Sequence, residues 1–329
     1  MTEPKPASKK KGCLGCALPL AISLIVIVVA LSVFGLMGGA IGQKLFPGIH
    51  MPAWLSVPKP TISLPAEAIF NLGPLPVTNT ILTSWITILI LLIITFVATR
   101  KPKMIPGKLQ SIVESAIEWM YNFCKDVAGE TNGRRFFPIV TTIFLFVLVN
   151  AWMNLIPGFG SIMVQENGIN TFPLLRGANT DINTALALAV ISFVFVTYYG
   201  LKDGKLGFLK QFVNVGRFFK GWGQLFTGKA KSALGNIGFG FIDIIVSILE
   251  LVSYFIRLVS FTFRLFGNMT GGEILVLMFM YLFTWVFFGG VQLIYGFELL
   301  IGVVQALIFA GLTLVFATMA AEKHGDEGH

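Results

Sequence analysis

Two stretches without a single charged residue, Gly12 to Gln43 and Ile81 to Thr99, decide what this chain can fold into. A helix crosses the hydrocarbon of a bilayer in about 20 apolar residues. Only a helix or a closed barrel satisfies its own backbone N–H and C=O groups there, because lipid offers them no partner. The pattern recurs from Phe136 to Ile156 and from Ile182 to Leu201. The chain is apolar again from Ile237 onward, with a break near Gly289 and Gly290 that leaves two long helices. The sum is an all-α integral membrane protein with about six membrane helices, the last two forming a long hairpin. Composition agrees: 55% of residues are hydrophobic and 12% charged, where soluble domains carry about 25% charged residues. No stretch has the balance of a soluble core, so one multi-helix membrane domain accounts for most of the chain.

The net charge of +8 is not a nucleic-acid signature here. Lys and Arg sit at the ends of apolar runs and in residues 202–231, which hold seven Lys or Arg against one Asp. Short cytoplasmic loops of membrane proteins carry this excess. Lipid, not nucleic acid, is the expected surroundings. Cys13 and Cys16 form a CxxC with no second pair and no nearby His, so they and Cys124 read as reduced thiols rather than zinc ligands. His50, His324 and His329 all fall outside the spans, which disfavours intramembrane haem or copper. Walker-type phosphate loops, Rossmann glycines and nucleophile elbows are also missing. No cofactor or metal is expected.

Charge placement also orders the chain. Residues 1–45 read as a basic cytoplasmic tail (Lys5, Lys9, Lys10, Lys11) followed by a transmembrane helix. A signal peptide would look similar at its start, but its apolar part runs only about 7 to 15 residues, so we read a retained helix. Residues 46–80, rich in proline, read as an irregular external segment. Residues 81–322 form the main membrane domain. Within it, Arg100, Lys101, Lys103 and Lys108 mark a cytoplasmic end. The stretch 108–128 has apolar residues at helical spacing among charges; a helix lying in the interface and a surface helix packed on a partner both fit. A loop from 157 to 180 is external, 202–236 is a basic cytoplasmic loop, 237–320 is the hairpin, and 323–329 is a cytoplasmic tail. The chain is thus multi-pass in a cell (inner or plasma) membrane, with both termini cytoplasmic.

Arg264 constrains function as the apolar runs constrain fold. Placing an arginine at the centre of a membrane helix costs roughly 2.5 to 3.5 kcal/mol on insertion scales, so it marks a functional site by default. It holds its proton at any working pH. Asp243, Glu250, Arg257 and Arg264 follow one another at steps of seven. At about 100° per residue such a step falls only about 20° short of two turns, so the four share a stripe that will not face lipid. Asn268 extends it, and Ser260 precedes Arg264 by one turn. Glu273, nine residues on, points about 180° away. In the last helix Glu298 and Gln305 are again seven apart. A salt bridge of Asp243 or Glu250 with Arg257, gluing helices together, is the structural reading of those three charges. Asn150 and Asn154, one turn apart, put polar groups on one face of the 136–156 span.

The run Arg264-Leu-Phe-Gly-Asn268-Met-Thr-Gly-Gly-Glu273, with Ser260 upstream and Gln305-Ala-Leu-Ile-Phe in the final helix, resembles the membrane-embedded a-subunit family of F-type rotary ATP synthases. The resemblance covers roughly residues 60 to 322. It includes Pro106-Gly-Lys-Leu-Gln, Asn154-Leu-Ile-Pro157 and Asn179-Thr-Asp-Ile-Asn183, and leaves the first 45 residues outside. In this family the position of Glu298 carries Glu or His.

The resemblance implies a stator whose two tilted hairpin helices lie against a ring of c subunits, with b subunits of a peripheral stalk and the rest of the ATP synthase as further partners. Protons pass through two offset half-channels, and ATP forms on other subunits, so this chain is not itself an enzyme. Arg264 matches the stator arginine. Glu273, Glu298, Gln305 and Asn268 fall on ion-translocating positions, and Ser260, Asn154, Asn179 and Asp181 suit half-channel lining. Asp243, Glu250 and Arg257 are left as structural charges. Two other readings are a secondary transporter or antiporter, which would show two matching halves with interrupted helices, and a non-conducting membrane scaffold, which leaves the charged stripe unexplained.

Overall fold

The computed structural model describes residues 14–46, 59–60, 65–100, 107–156, 158–166, 169–212, 230–284 and 290–322. The described elements are α1 (Leu14–Gly38), α2 (Ala40–Leu45), the hairpin β1 (Ala68–Leu72) and β2 (Leu75–Thr78), α3 (Asn79–Thr99), α4 (Lys108–Asn154), the hairpin β3 (Met163–Glu166) and β4 (Ile169–Pro173), α5 (Ile182–Phe212), α6 (Ala230–Phe283) and α7 (Gly290–Glu322). Six of these helices are long and apolar enough to cross a membrane, as the uncharged runs predict. The chain divides into two compact units, residues 1–62 with 272–297, and residues 63–271 with 298–329.

In the larger unit the core lies among α4, α5, α6 and α7. Met120, Phe136, Val140, Leu265, Phe309 and Leu314 are fully buried. Ala306, Ala310 and Ala317 on α7 are buried too, and small side chains there let helix backbones approach. That matters because lipid supplies no hydrophobic drive between helices, leaving dispersion and interhelical hydrogen bonds to hold them. Trp152 Nε1 donates to the Leu299 carbonyl at 3.3 Å, tying α4 to α7. Ser192 and Thr313 share a buried hydroxyl bond of 2.7 Å between α5 and α7. One flank of α6 stays bare: Ile245, Ile248, Leu249, Phe255, Ile256 and Phe263 are all exposed.

Several boundaries differ from the sequence expectation. The 108–128 and 136–156 helices join into one element, bent where Gly129 (φ 76, ψ 172) leaves the helical region; that backbone region is essentially open to glycine alone. The expected irregular segment 46–80 contains the β1–β2 hairpin, in which Pro76 pairs with Asn71. A two-stranded ribbon has two outer edges, where a missing N–H costs nothing. Asn79 N donates to the Glu67 carbonyl at 3.0 Å, leading the hairpin directly into α3. The 157–180 loop carries the β3–β4 hairpin. Helix α5 runs on to Phe212 and α6 starts at Ala230, both inside the expected loop 202–236. Residues 1–13, including Cys13, the loop centre 213–229, the break at 285–289 and the tail 323–329 lie outside the described residues.

In the smaller unit the end of α1 and its joint to α2 meet the end of α6 at Leu282 to Thr284. Between residues 21 and 30 almost every α1 side chain is exposed, the apolar Ile22, Leu24, Ile25, Val26 and Ile27 among them, as for a helix hydrophobic all round. Ser32 Oγ donates to the Val28 carbonyl at 2.7 Å, hiding its hydroxyl within the helix. Near its end the surface turns small. A Cβ at Gly39 would collide with the backbone of Leu282 and Phe283. Thr284 Oγ1 donates to the Gly35 carbonyl at 2.8 Å in a buried bond. Thr284 holds φ at 60°, and a β-branched residue in the left-handed region is strained by on the order of 1–3 kcal/mol.

Candidate functional site

Helix α6 places Asp243, Glu250, Arg257 and Arg264 along one side, and all four are half-buried, whereas Ile245, Leu249, Ile256 and Phe263 on another flank are exposed. The stripe therefore packs on protein, as its spacing requires. The expected ion pair does not hold Arg257. Its guanidinium lies over the rings of Phe316 at 4.4 Å and Tyr254 at 5.1 Å, and among the described residues no carboxylate pairs with it. An aromatic face stabilises a cation by roughly 0.5–1 kcal/mol when exposed and by about 2 kcal/mol or more when desolvated, so the two rings supply the contact expected of a carboxylate.

Arg264 is different. It is half-buried at mid-helix, and among the described residues no hydrogen bond, ion pair or ring engages its guanidinium. One turn along, Asn268 Nδ2 donates to Gln305 Oε1 at 2.7 Å, locking α6 to α7 beside the arginine. Gln305 is buried, and its Nε2 has no hydrogen-bond partner among the described residues. Glu298, 6% exposed, stands seven residues before Gln305 on α7. Ser260 is half-buried one turn before Arg264. Glu273 is half-buried within the smaller unit.

Asn154, Asn179 and Asp181 gather at the ends of α3, α4 and α5 instead. Asn154 Oδ1 accepts from Gly177 N at 3.2 Å. Asn179 Nδ2 donates to the Val147 carbonyl at 2.9 Å. Asp181 caps α5, accepting from Asn183 N at 3.0 Å through Oδ1 and from Thr80 Oγ1 at 2.8 Å through Oδ2. Thr270 Oγ1, two residues past Asn268, reaches the Thr180 carbonyl at 3.4 Å and joins this knot to α6. Asp181→Ala is expected to lower stability by on the order of 2 kcal/mol, from the lost cap and the orphaned Thr80 hydroxyl. Thermal unfolding of the detergent-solubilised protein checks this, with Thr80→Val expected to lose less. An unchanged midpoint in Asp181→Ala would mean the two bonds contribute nothing.

The polar face of α3 was not singled out from the sequence. Asn79, Thr80, Thr83 and Thr87 are all fully buried. Thr87 Oγ1 bonds Asn150 Oδ1 at 3.0 Å, and Asn79 Nδ2 donates to the Pro173 carbonyl at 3.2 Å. The signal was present: hydroxyls at spacings of three and four mark one helix face inside an otherwise apolar run.

A profile of the family described as ATP synthase A chain matches residues 81–318, starting later than the residue near 60 that the motifs suggested. Relatives agree with it. The chain is 32% identical to ATP synthase subunit a of Geotalea daltonii over 247 residues, 75% of this chain and 87% of the relative. It is 29% identical to ATP synthase subunit a of Gloeobacter violaceus over 258 residues, 78% and 89%. It is 30% identical to that of Helicobacter pylori over 244 residues, 74% and 89%.

Proposed function

We infer, because the chain belongs to the ATP synthase A chain family, that it is the stator a subunit of the membrane sector of an F-type ATP synthase, passing protons through two half-channels coupled to rotation of a c ring. Arg264 carries this reading. A permanent cation, half-buried in a membrane helix and without a carboxylate among the described residues, calls for a partner from outside the chain. A c-subunit carboxyl passing at about 4 Å would gain roughly 4 kcal/mol at an effective dielectric near 20. That attraction favours the ionised carboxylate, so each arriving carboxyl gives up its proton. The same fixed charge bars a direct leak between half-channels.

In this reading Glu273 and Glu298 relay protons in the external half-channel. Asn268 and Gln305 line the path beside Arg264, with Ser260 on the arginine's own face. Asn154, Asn179 and Asp181 hold the helix ends at the external mouth. Asp243, Glu250 and Arg257 serve packing. The chain binds c and b subunits and does no chemistry on ATP itself. A proton descending 100 mV releases about 2.3 kcal/mol, so each ATP needs several. The deciding experiment is purification in mild detergent: an intact c ring should accompany the chain, and a chain that purifies without ring or stalk subunits sinks the assignment.

The amino and carboxyl termini are placed in the cytoplasm and residues 46–80 outside, on the basic residues before the first span, after the second, and throughout 202–231. Labelling of engineered cysteines from each side of sealed vesicles is expected to reach a Cys near Lys210 only from the cytoplasmic side. External labelling there overturns the arrangement.

A further inference from the structure

We propose that α1, which lies outside the family-matched residues 81–318, is a clamp on the end of α6, with Gly39 and Thr284 as positioning residues for proton transfer through Glu273. The contact is built, not incidental. Gly39 meets the backbone of Leu282 and Phe283 so closely that any side chain would force them apart. Thr284, fully buried, spends its hydroxyl on the Gly35 carbonyl at 2.8 Å. It does so from a left-handed backbone (φ 60) that a threonine holds only when its surroundings impose it. Gly42 packs against the carbonyls of Leu36 and Met37, where α1 folds into α2. Two features thus fix the joint, the Gly39 contact and the Thr284 bond, with Gly42 tightening the bend between α1 and α2; a backbone-to-backbone contact of this kind transmits position without the slack of long side chains.

What the clamp fixes is the end of α6. Glu273 stands on the same helix nine residues before Leu282, within the unit that contains α1 and residues 272–297. Pinning Leu282 to Thr284 sets the height and rotation of that helix end, hence of the Glu273 carboxyl. Proton transfer is steep in geometry: a displacement of about 1 Å can cost on the order of a hundredfold in rate. The extra helix therefore does for this subunit's hairpin what a free turn would not.

The inference rests on the reading of Glu273 as a proton relay, and its test separates the two. Complexes carrying Thr284→Val, Thr284→Ser or Gly39→Val are compared with the parent and with Arg264→Ala in vesicles matched for assembled subunit. The readouts are ATP-driven acidification and passive proton conductance after removal of the catalytic head. Thr284→Val and Gly39→Val are expected to slow both several-fold, and Thr284→Ser, which keeps the hydroxyl, to restore most of the rate. If Gly39→Val does not assemble, Thr284→Val against Thr284→Ser decides. Parental rates in Thr284→Val and Gly39→Val, with pumping lost in Arg264→Ala, overturn the clamp alone. Normal pumping by Arg264→Ala overturns the stator reading, and the joint itself is then judged by cross-linking. Gly35→Cys and Thr284→Cys, with the native cysteines replaced, should be bridged by a short bifunctional thiol reagent. No bridge, or a mature chain beginning near residue 40, removes the clamp.

Discussion

Arg264→Ala is expected to abolish both ATP-driven proton pumping and ATP synthesis while the complex still assembles. The substitution removes a charge from the membrane, so insertion is not penalised. The Asn268–Gln305 bond that locks α6 to α7 does not involve the guanidinium. What disappears is the cation that, in the proposed mechanism, draws the proton from an arriving carboxyl and separates the half-channels. Arg264→Lys should fail to couple as well, because lysine loses the planar fork and deprotonates when desolvated. Acidification assays and synthesis rates on complexes of matched subunit content measure this. Near-normal synthesis by a well-assembled Arg264→Ala enzyme would falsify the stator assignment.

The second large effect is expected at Glu298. This carboxyl is buried on α7, two turns before Gln305, and a buried acid on a membrane helix marks a functional site by default, here the proposed proton relay. Glu298→Gln keeps the shape and removes the exchangeable proton. Passive conductance should fall by tenfold or more, at the lower end of what a positioned proton-transfer group contributes, roughly 100- to 10,000-fold. Glu298→His should retain part of the flux, since imidazole titrates near 6.5 and can also relay. Glu273→Gln is expected to fall between. If both Gln variants conduct like the parent across a pH series, the two carboxyls hold helices together and other residues line the channel.

The membrane spans and the arginine stripe were legible because both are written in local periodicity. Uncharged runs predict helices wherever water is absent, and steps of seven put Arg264 and its neighbours on one side whatever packs there. Contacts between distant segments leave no such trace. Thr80 meets Asp181 across 101 residues, and Thr284 meets Gly35 across 249. Arg257 shows how charge alone misleads. Its sign and spacing suggested Asp243 or Glu250, yet packing delivered the rings of Tyr254 and Phe316. The hairpin at residues 68–78 was obscured by prolines that an edge strand tolerates.

The bare flank of α6, from Ile245 past Phe255 to Phe263, bears on friction. Apolar surfaces attract without direction, so in the proposed assembly a rotor gliding along this flank would meet nearly the same adhesion at every angle. Polar side chains would instead have created notches, each a hydrogen-bond register to be broken before the next step. With the flank greasy, the angular energy profile is smooth except where a carboxyl faces Arg264. On the proposed function, the stopping points of the motor would be set by one ion pair, and the bearing around it would contribute little drag.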